Sequence, residues 1–348
     1  MRREERRYMI DRYVKKVVSG EFLTYDEAYK GAKMLLKGEV PEIKAASLLA
    51  AMRTRKESSH EILGFVDAIY EEAVKVKVDM EVMDTCGTGG DGLNTFNIST
   101  LTALVVAACG VPVAKHGNRA VTGKVGSADI LENLGVNINI SPDKAAFMLE
   151  EIGITFLFAP HYHPILKEVA PLRKALGFPT IFNFLGPLLN PCSLSYQVMG
   201  VADASMTGKI AEVLREMGLK RAMVVHGENG MDEISPQGRT DILEVGEEVI
   251  YAYKLDAVEM GFHHITLDML KGGDLKRNRD IFLGVLEGRR IPARQAVVIN
   301  AGAALKVAGR ARDINEGIKM AYEAIDSGKA REKLRQMISY SRDGVVVC

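Results

Sequence analysis

Residues 84–100 read DTCGTGGDGLNTFNIST. An apolar run ending in Val82 and Met83 leads into Gly87, Thr88, Gly89, Gly90, Asp91 and Gly92, and an alanine-rich helical pattern follows from Ser99. Strand, glycine turn and helix start are the parts from which α/β proteins build an anion cradle. Glycine lets the backbone approach phosphate oxygens and aim N–H groups at them, and the helix N-terminus adds donors and partial positive charge. The competing reading is a plain glycine turn with Ser99 as an N-cap. Asp91 and the polar run Asn94, Thr95, Asn97, Ser99 and Thr100 favour a phosphorylated ligand with a sugar attached. The stretch is neither of the commonest phosphate loops. No lysine follows the glycines, and GxGxxG forced onto Gly87, Gly89 and Gly92 starts the helix several residues too late for a dinucleotide pyrophosphate.

The rest of the chain bounds the possibilities. Its 348 residues suffice for one large domain or two unequal ones, and 45 Lys plus Arg balance 45 Asp plus Glu. Nucleic-acid binders usually carry a basic excess, so neutrality argues against that class. No apolar run approaches a membrane span. Residues 1–18 are basic but include Glu4, Glu5 and Asp11 and lack an apolar centre. They read as an amphipathic helix, not a targeting signal. Cys86, Cys109, Cys192 and Cys348 are scattered, with no zinc-ligand spacing and no disulfide framework. Cys86, beside the glycine loop, reads as a small apolar filler and not a nucleophile. A reducing, cytoplasmic setting is expected.

The first seventy or so residues read as helical, with capping boxes at 24–27 and 58–61. Alternation over 75–80 marks a candidate domain boundary. Beyond it, strands are expected at 112–115, 154–158, 196–201 and 221–225, and helices at 127–134 and from Ser141-Pro142 to Gly153. A further helix ends near Gly218, and long amphipathic helices cover 294–307 and 314–327, with another to about Ile338. Alternating strands and helices predict an α/β fold with a mainly parallel sheet, whose ligands bind beyond the carboxyl ends of the strands.

Three further constellations carry chemistry. Lys115, His116, Gly117, Asn118 and Arg119, continued by Thr122, Gly123, Lys124 and Ser127, could wrap a phosphate or diphosphate. His116 reads equally as a structural histidine. Asp232 and Glu233 follow His226-Gly227-Glu228 and suit Mg²⁺, which takes few protein oxygens and bridges to substrate phosphates. By itself such an acidic pair is usually just solvated. Arg173 sits on a helical pattern beginning near His163; pointing inward, its fork suits a carboxylate, and pointing outward it is a surface charge.

The motifs DTCGTGGDG-x-NTFNIST, KHGNRAVTGKVGSAD, FLFAP-x-x-HP, VAPLRKALG, TIFNFLGPLLNP and VVHGENGMDEIS, in this order, closely resemble the anthranilate phosphoribosyltransferase family, and the likeness runs from about Tyr13 to Ile338. The resemblance implies a small helical domain, residues 1–74 with a returning segment near 170–188. It also implies a large α/β domain, residues 75–169 and 189–348, of the nucleoside phosphorylase-like kind. The implied reaction joins anthranilate to phosphoribosyl pyrophosphate and releases pyrophosphate, in tryptophan biosynthesis. Gly87, Gly90, Asp91, Thr95, Asn97, Ile98, Ser99 and Thr100 match positions that hold phosphoribosyl pyrophosphate. Lys115, His116, Gly117, Asn118, Arg119, Ala120, Val121, Thr122, Gly123 and Ser127 match the second part of that site. Ser99, Asp232 and Glu233 match ligands of Mg²⁺, two ions per subunit, and Gly87, Asn118 and Arg173 match the anthranilate contacts. Arg173, Asn118 and Lys115 are the residues it puts nearest the chemistry. A homodimer through the helical domain is implied, with no nucleic-acid or membrane partner. Ala120, Gly123 and Val125 stand where many members carry serines, Thr122 keeps a hydroxyl, and Pro179 and Leu189 also depart from the pattern. The alternatives on such a scaffold are a nucleoside phosphorylase, which needs no carboxylate clamp, and a non-enzymatic nucleic-acid-binding relative.

Overall fold

The computed structural model describes residues 3–120 and 124–342. Four helices come first: α1 (Arg3–Val18), α2 (Tyr25–Leu36), α3 (Glu42–Arg55) and α4 (Ser59–Glu71). Thr24 and Ser58 cap α2 and α4 in reciprocal boxes with Glu27 and Glu61, as the S/T-x-x-E spacing dictates. Glu61 does more than cap. Its fully buried carboxylate also accepts the Leu23 N–H at 2.8 Å and a two-pronged pair from Arg55. One side chain thus ties the start of α2, the end of α3 and the start of α4.

The α/β part runs β1 (Met83–Gly87), α5 (Ile98–Ala108), β2 (Val113–Gly117), α6 (Ser127–Asn133), α7 (Pro142–Ile152), β3 (Ile154–Phe158), α8 (Ala159–Tyr162) and α9 (Ala170–Leu176). It continues with β4 (Tyr196–Gly200), α10 (Thr207–Glu216), β5 (Arg221–Gly227), β6 (Arg239–Val245) and β7 (Ile250–Asp256). Four helices close it: α11 (Leu275–Leu286), α12 (Pro292–Val307), α13 (Ile314–Asp326) and α14 (Lys329–Ser341). The seven strands lie in the order β3-β2-β1-β4-β5-β6-β7. Five are parallel, and β6 and β7 extend the sheet as an antiparallel hairpin, so the mainly parallel expectation holds. No helix among the described residues is long and apolar enough to cross a membrane.

Two apolar cores flank the sheet. One gathers α5, α12, α13 and α14 side chains such as Leu104, Val297, Ile325 and Leu334. The other joins the α2–α4 interior to α10 through Phe65, Ile69, Ile210 and Leu214. The segment after α9 belongs to this second core: Ile181, Phe182, Leu185 and Leu188 are buried in it, and Phe182 meets Phe65 edge to face at 5.8 Å.

Several sequence expectations need correction. The strand before the glycines starts at Met83 and carries Asp84, Thr85 and Cys86 into the sheet. The helical pattern from His163 is broken into α8, a 3-10 turn at Pro164–Lys167 and α9. Proline lacks the N–H that would join these turns and is suited only to their first positions.

Replacing Glu61 with Ala leaves the buried Arg55 guanidinium and the Leu23 and Ser58 N–H groups unpartnered. The expected loss of unfolding free energy in urea is about 3 kcal/mol, as for a broken buried ion pair. A loss below about 1 kcal/mol, the scale of an exposed pair, would show that Glu61 is not the anchor.

Candidate active site

The chain steps outward from β1 to β2 and β3, then returns to place β4 on the other side of β1. This is a topological switch point, where the crevice at the carboxyl ends of the strands receives ligands. Gly87 and Gly200, the last residues of β1 and β4, are partners across it. The loop after β5 passes directly over them. A Cβ at Gly200 would coincide with the Asp232 carbonyl oxygen, and one at Gly87 would overlap the Asp232 carboxylate. Only two adjacent glycines let the acidic couplet settle there. The Gly89 N–H then donates to Asp232 Oδ2 at 2.6 Å, and the Thr88 N–H to the Gly200 carbonyl at 2.9 Å.

Three carboxylates converge over this floor. Burial and then the Asp91 charge raise the Asp232 pKa to about 6. Burial, then Asp232 and Asp91, push Glu233 well above the usual carboxylate range, against one backbone N–H from Ser99. Asp91 Oδ1 accepts the Leu93 N–H at 3.0 Å, while Asp91 Oδ2 and Glu233 Oε2 are buried without a partner among the described residues. Buried carboxylates that repel one another and keep free oxygens fit a divalent cation. No group of three or more His, Cys, Asp or Glu side chains among the described residues could hold a metal ion by itself. Mg²⁺ takes few protein oxygens and leaves positions for water and substrate oxygens.

The two polar stretches meet beside these acids. Helix α5 begins at Ile98 with Asn97 as N-cap residue, so Ser99 lies inside the first turn instead of capping it. Thr100 Oγ1 donates to Ser127 Oγ at 3.0 Å, and Asn97 Nδ2 to the Val125 carbonyl at 3.0 Å, joining first loop to second. Thr95 is braced from behind by a bridge to Lys271. Gly90 is exposed with φ 80°, a left-handed conformation that glycine adopts without strain.

The second loop divides. Lys115 is buried in β2, its Nζ 4.0 Å from Asp84 Oδ1 and donating to the His116 carbonyl at 3.2 Å. Asp84 is itself buried; its other oxygen accepts from Asn190 Nδ2 at 2.9 Å. The His116 ring donates from Nδ1 to the Gly186 carbonyl at 3.1 Å and meets His163 edge-on at 5.3 Å. Burial, then His163 and Lys115, lower its pKa to about 3, so it is a neutral structural group. Gly117 is half-buried and Asn118 exposed. Arg119 points its guanidinium at Asp129 (2.9 Å) and Glu132 (2.8 Å), and the Ala120 N–H donates to Asp129 at 3.0 Å. Val121, Thr122 and Gly123 lie outside the described residues. Cys86 is buried, its sulfur accepting from Gln197 Nε2 at 3.2 Å, and burial pushes its thiol pKa far up.

Arg173, on α9, is half-buried over the Phe182 ring, its centre 5.7 Å from the ring centroid. Its guanidinium has no hydrogen bond or ion pair with any described residue, Gly87 and Asn118 included. Desolvation alone lowers its pKa. A desolvated fork without a carboxylate is matched to an anion supplied from outside. Sequence reasoning missed Gly200, Asp84 and Asn190. Gly200 could have been found as a glycine ending an apolar strand, but Asp84 and Asn190 have no local signal.

The glycosyl transferase family, a/b domain, matches residues 79–331, and the glycosyl transferase family, helical bundle domain, matches residues 11–73. The anthranilate phosphoribosyltransferase of Syntrophomonas wolfei is 57% identical over 340 residues, 98% of this chain and 100% of its own length. This chain belongs to the anthranilate phosphoribosyltransferase family. The crystal structure of the Thermus thermophilus member superposes with TM-score 0.89 at 41% identity, covering 95% of this chain and 99% of that one. The Saccharomyces cerevisiae member, in complex with phosphoribosyl pyrophosphate and Mg, gives TM-score 0.88 at 26% identity, covering 95% and 97%. Neither a nucleoside phosphorylase nor a nucleic-acid binder is found among these relatives of the chain.

The glycine floor and the buried imidazoles each lead to a measurement. Gly200→Ala forces the Asp232 backbone off the strand ends, and a displacement on the scale of 1 Å costs about 100-fold in turnover. The variant should fold, by circular dichroism, and lose activity to that extent; near-normal turnover would place the couplet's role elsewhere. The second measurement concerns His163, whose pKa burial lowers to about 4 from an ordinary 6.5, with Lys75 adding to the effect. Below 6.5 the unfolded chain binds a proton there that the folded chain refuses, so this contribution is present above 6.5 and lost on acidification. The wild type's stability relative to His163→Gln should therefore fall by about 1.4 kcal/mol per unit between pH 6 and 5. A difference independent of pH would mean that the ring is protonated in the fold.

Proposed function

We infer that this chain transfers the phosphoribosyl group of phosphoribosyl pyrophosphate to the amine of anthranilate, giving N-(5-phosphoribosyl)anthranilate and pyrophosphate, a step of tryptophan biosynthesis. The observation that carries this reading is the convergence of Asp91, Asp232 and Glu233 over the Gly87–Gly200 floor, in a chain 57% identical to a member of that name. Gly87, Gly90, Asp91, Thr95, Asn97, Ile98, Ser99 and Thr100, with Ser127 and the loop from Lys115 to Gly123, hold the phosphoribosyl pyrophosphate. Asp232, Glu233 and Ser99 hold Mg²⁺, two ions per subunit, as the unpartnered oxygen of Glu233 suits. When bound, the metal stabilises charge developing on the leaving pyrophosphate. The Ser99 backbone N–H also favours the charged form of Glu233.

The acceptor is an aromatic amine, nucleophilic while neutral, so the chain's task is chiefly to position two reactants. Arg173 grips the anthranilate carboxylate, and Asn118 and Gly87 line the ring's place. Lys115, buried against Asp84, contributes a fixed positive charge behind the diphosphate. Tyr8 on α1 and Ile43 on α3, 73% and 81% exposed, favour a homodimer through the helical domain. The proposed setting is the cytoplasm.

The direct test is decay of anthranilate fluorescence on mixing with phosphoribosyl pyrophosphate and Mg²⁺; absence of decay with folded protein overturns the reading. Arg173→Ala should raise the KM for anthranilate at least about tenfold, the scale of a lost charge-assisted contact, and leave that for phosphoribosyl pyrophosphate within about twofold. Equal effects on both would remove Arg173 from the acceptor site.

A further inference from the structure

Helix α12 is apolar along nearly its whole length, and Asn300 interrupts it. Asn300 is 5% exposed, and its side chain lines the same small cavity as Ser99, Asp232 and Glu233. Its Oδ1 accepts the Ile234 N–H at 2.9 Å, and its Nδ2 donates to the Ile234 carbonyl at 2.9 Å and the Ala296 carbonyl at 2.8 Å. Both backbone groups of Ile234 are therefore held by one side-chain amide, as a neighbouring strand would hold them. This arrangement fixes the amide's orientation, since a flip would set donor against donor. Ile234 is fully buried and directly follows Glu233. Glu233 thus lies between Asp232, packed on Gly200, and Ile234, held by Asn300.

The geometry points to Asn300 as a positioning residue: it clamps the backbone of Ile234 and so aims Glu233, and with it Asp232, at the cation of the reaction. It touches neither substrate nor metal and acts through the loop. The inference rests on the metal reading given above. Partners that orient metal-binding side chains typically matter by about 10- to 100-fold in metal affinity.

Asn300→Leu keeps the branched outline of the side chain and removes all three hydrogen bonds; Asn300→Ala removes them without added bulk or charge. Two measurements decide the matter. In the ligand-free protein, hydrogen–deuterium exchange at the Ile234 amide should quicken at least about tenfold in the Leu variant, while amides of β5 keep their protection. In calorimetry, Mn²⁺-dependent binding of phosphoribosyl pyrophosphate should weaken about tenfold or more in both variants, with the KM for anthranilate within about twofold. Unchanged Ile234 exchange overturns the clamp. Faster exchange with unaltered Mn²⁺-dependent binding overturns its link to the metal. Should the Leu variant fail to fold, the Ala variant carries both measurements and is read the same way. Wild-type protein that binds no phosphoribosyl pyrophosphate with Mn²⁺ would instead sink the functional reading itself, so the two failures are distinguishable.

Discussion

One residue occupies the space two side chains would fill: Asp232 lays its carbonyl on Gly200 and its carboxylate on Gly87, and the rest of the site is arranged around that contact. Strand register brings the two glycines together, because β1 and β4 pair in parallel from Met83–Tyr196 up to Gly87–Gly200. Topology then makes the spot a crevice, since the chain goes out from β1 to β2 and β3 on one side and returns to place β4 on the other. Once Asp232 is seated, the Gly89 N–H donates to its carboxylate. The glycine loop thus holds the acids in place.

The electrostatic balance explains why the acids remain short of a cation. Lys115 is buried on the sheet with its ammonium 4.0 Å from Asp84. It lowers the Glu233 pKa, but burial, Asp232 and Asp91 outweigh it. Asp91, Asp232 and Glu233 are left with mutual repulsion that the protein does not cancel. Burial of ionised groups is unfavourable unless they are paired, so a divalent cation that binds here relieves a cost already built into the fold.

What could be read from the sequence was what is local. The capping boxes, Ser141-Pro142 with Gly153, the glycine loop and the acidic couplet each declare themselves within a few residues, because caps, turns and loops obey short-range rules. The β6–β7 hairpin did not: β7 is exposed at Tyr251 and Ala252 and lacks clean alternation. The breaks between α8 and α9 were visible as prolines but were read through. Asp84 and Asn300 look from sequence like misplaced polar residues in apolar runs. Their meaning lies in Asn190, 106 positions from Asp84, and in Ile234, 66 from Asn300, and no periodicity encodes such partners. Arg173 was placed by resemblance; its geometry alone gives a desolvated, unpaired guanidinium.

In the proposed reaction the two substrates are read by different bodies of the chain. Phe182, beneath Arg173, packs on Phe65 of the helical domain, whereas the acids stand on the sheet. The segment that returns from α9 to β4 must hold these bodies in one relation, and it is stitched to the sheet by buried side chains. His116 donates to the Gly186 carbonyl, Gln197 to Pro187 and His163 to Leu189, while Asn190 donates to Asp84 and the Ala114 carbonyl. Most of these bonds join neutral groups, and burial keeps both imidazoles uncharged. Neutral buried hydrogen bonds escape the screening by salt that weakens exposed ion pairs. In that reading, the distance from Arg173 to the acidic floor is set by contacts indifferent to the charges that both substrates would bring between them.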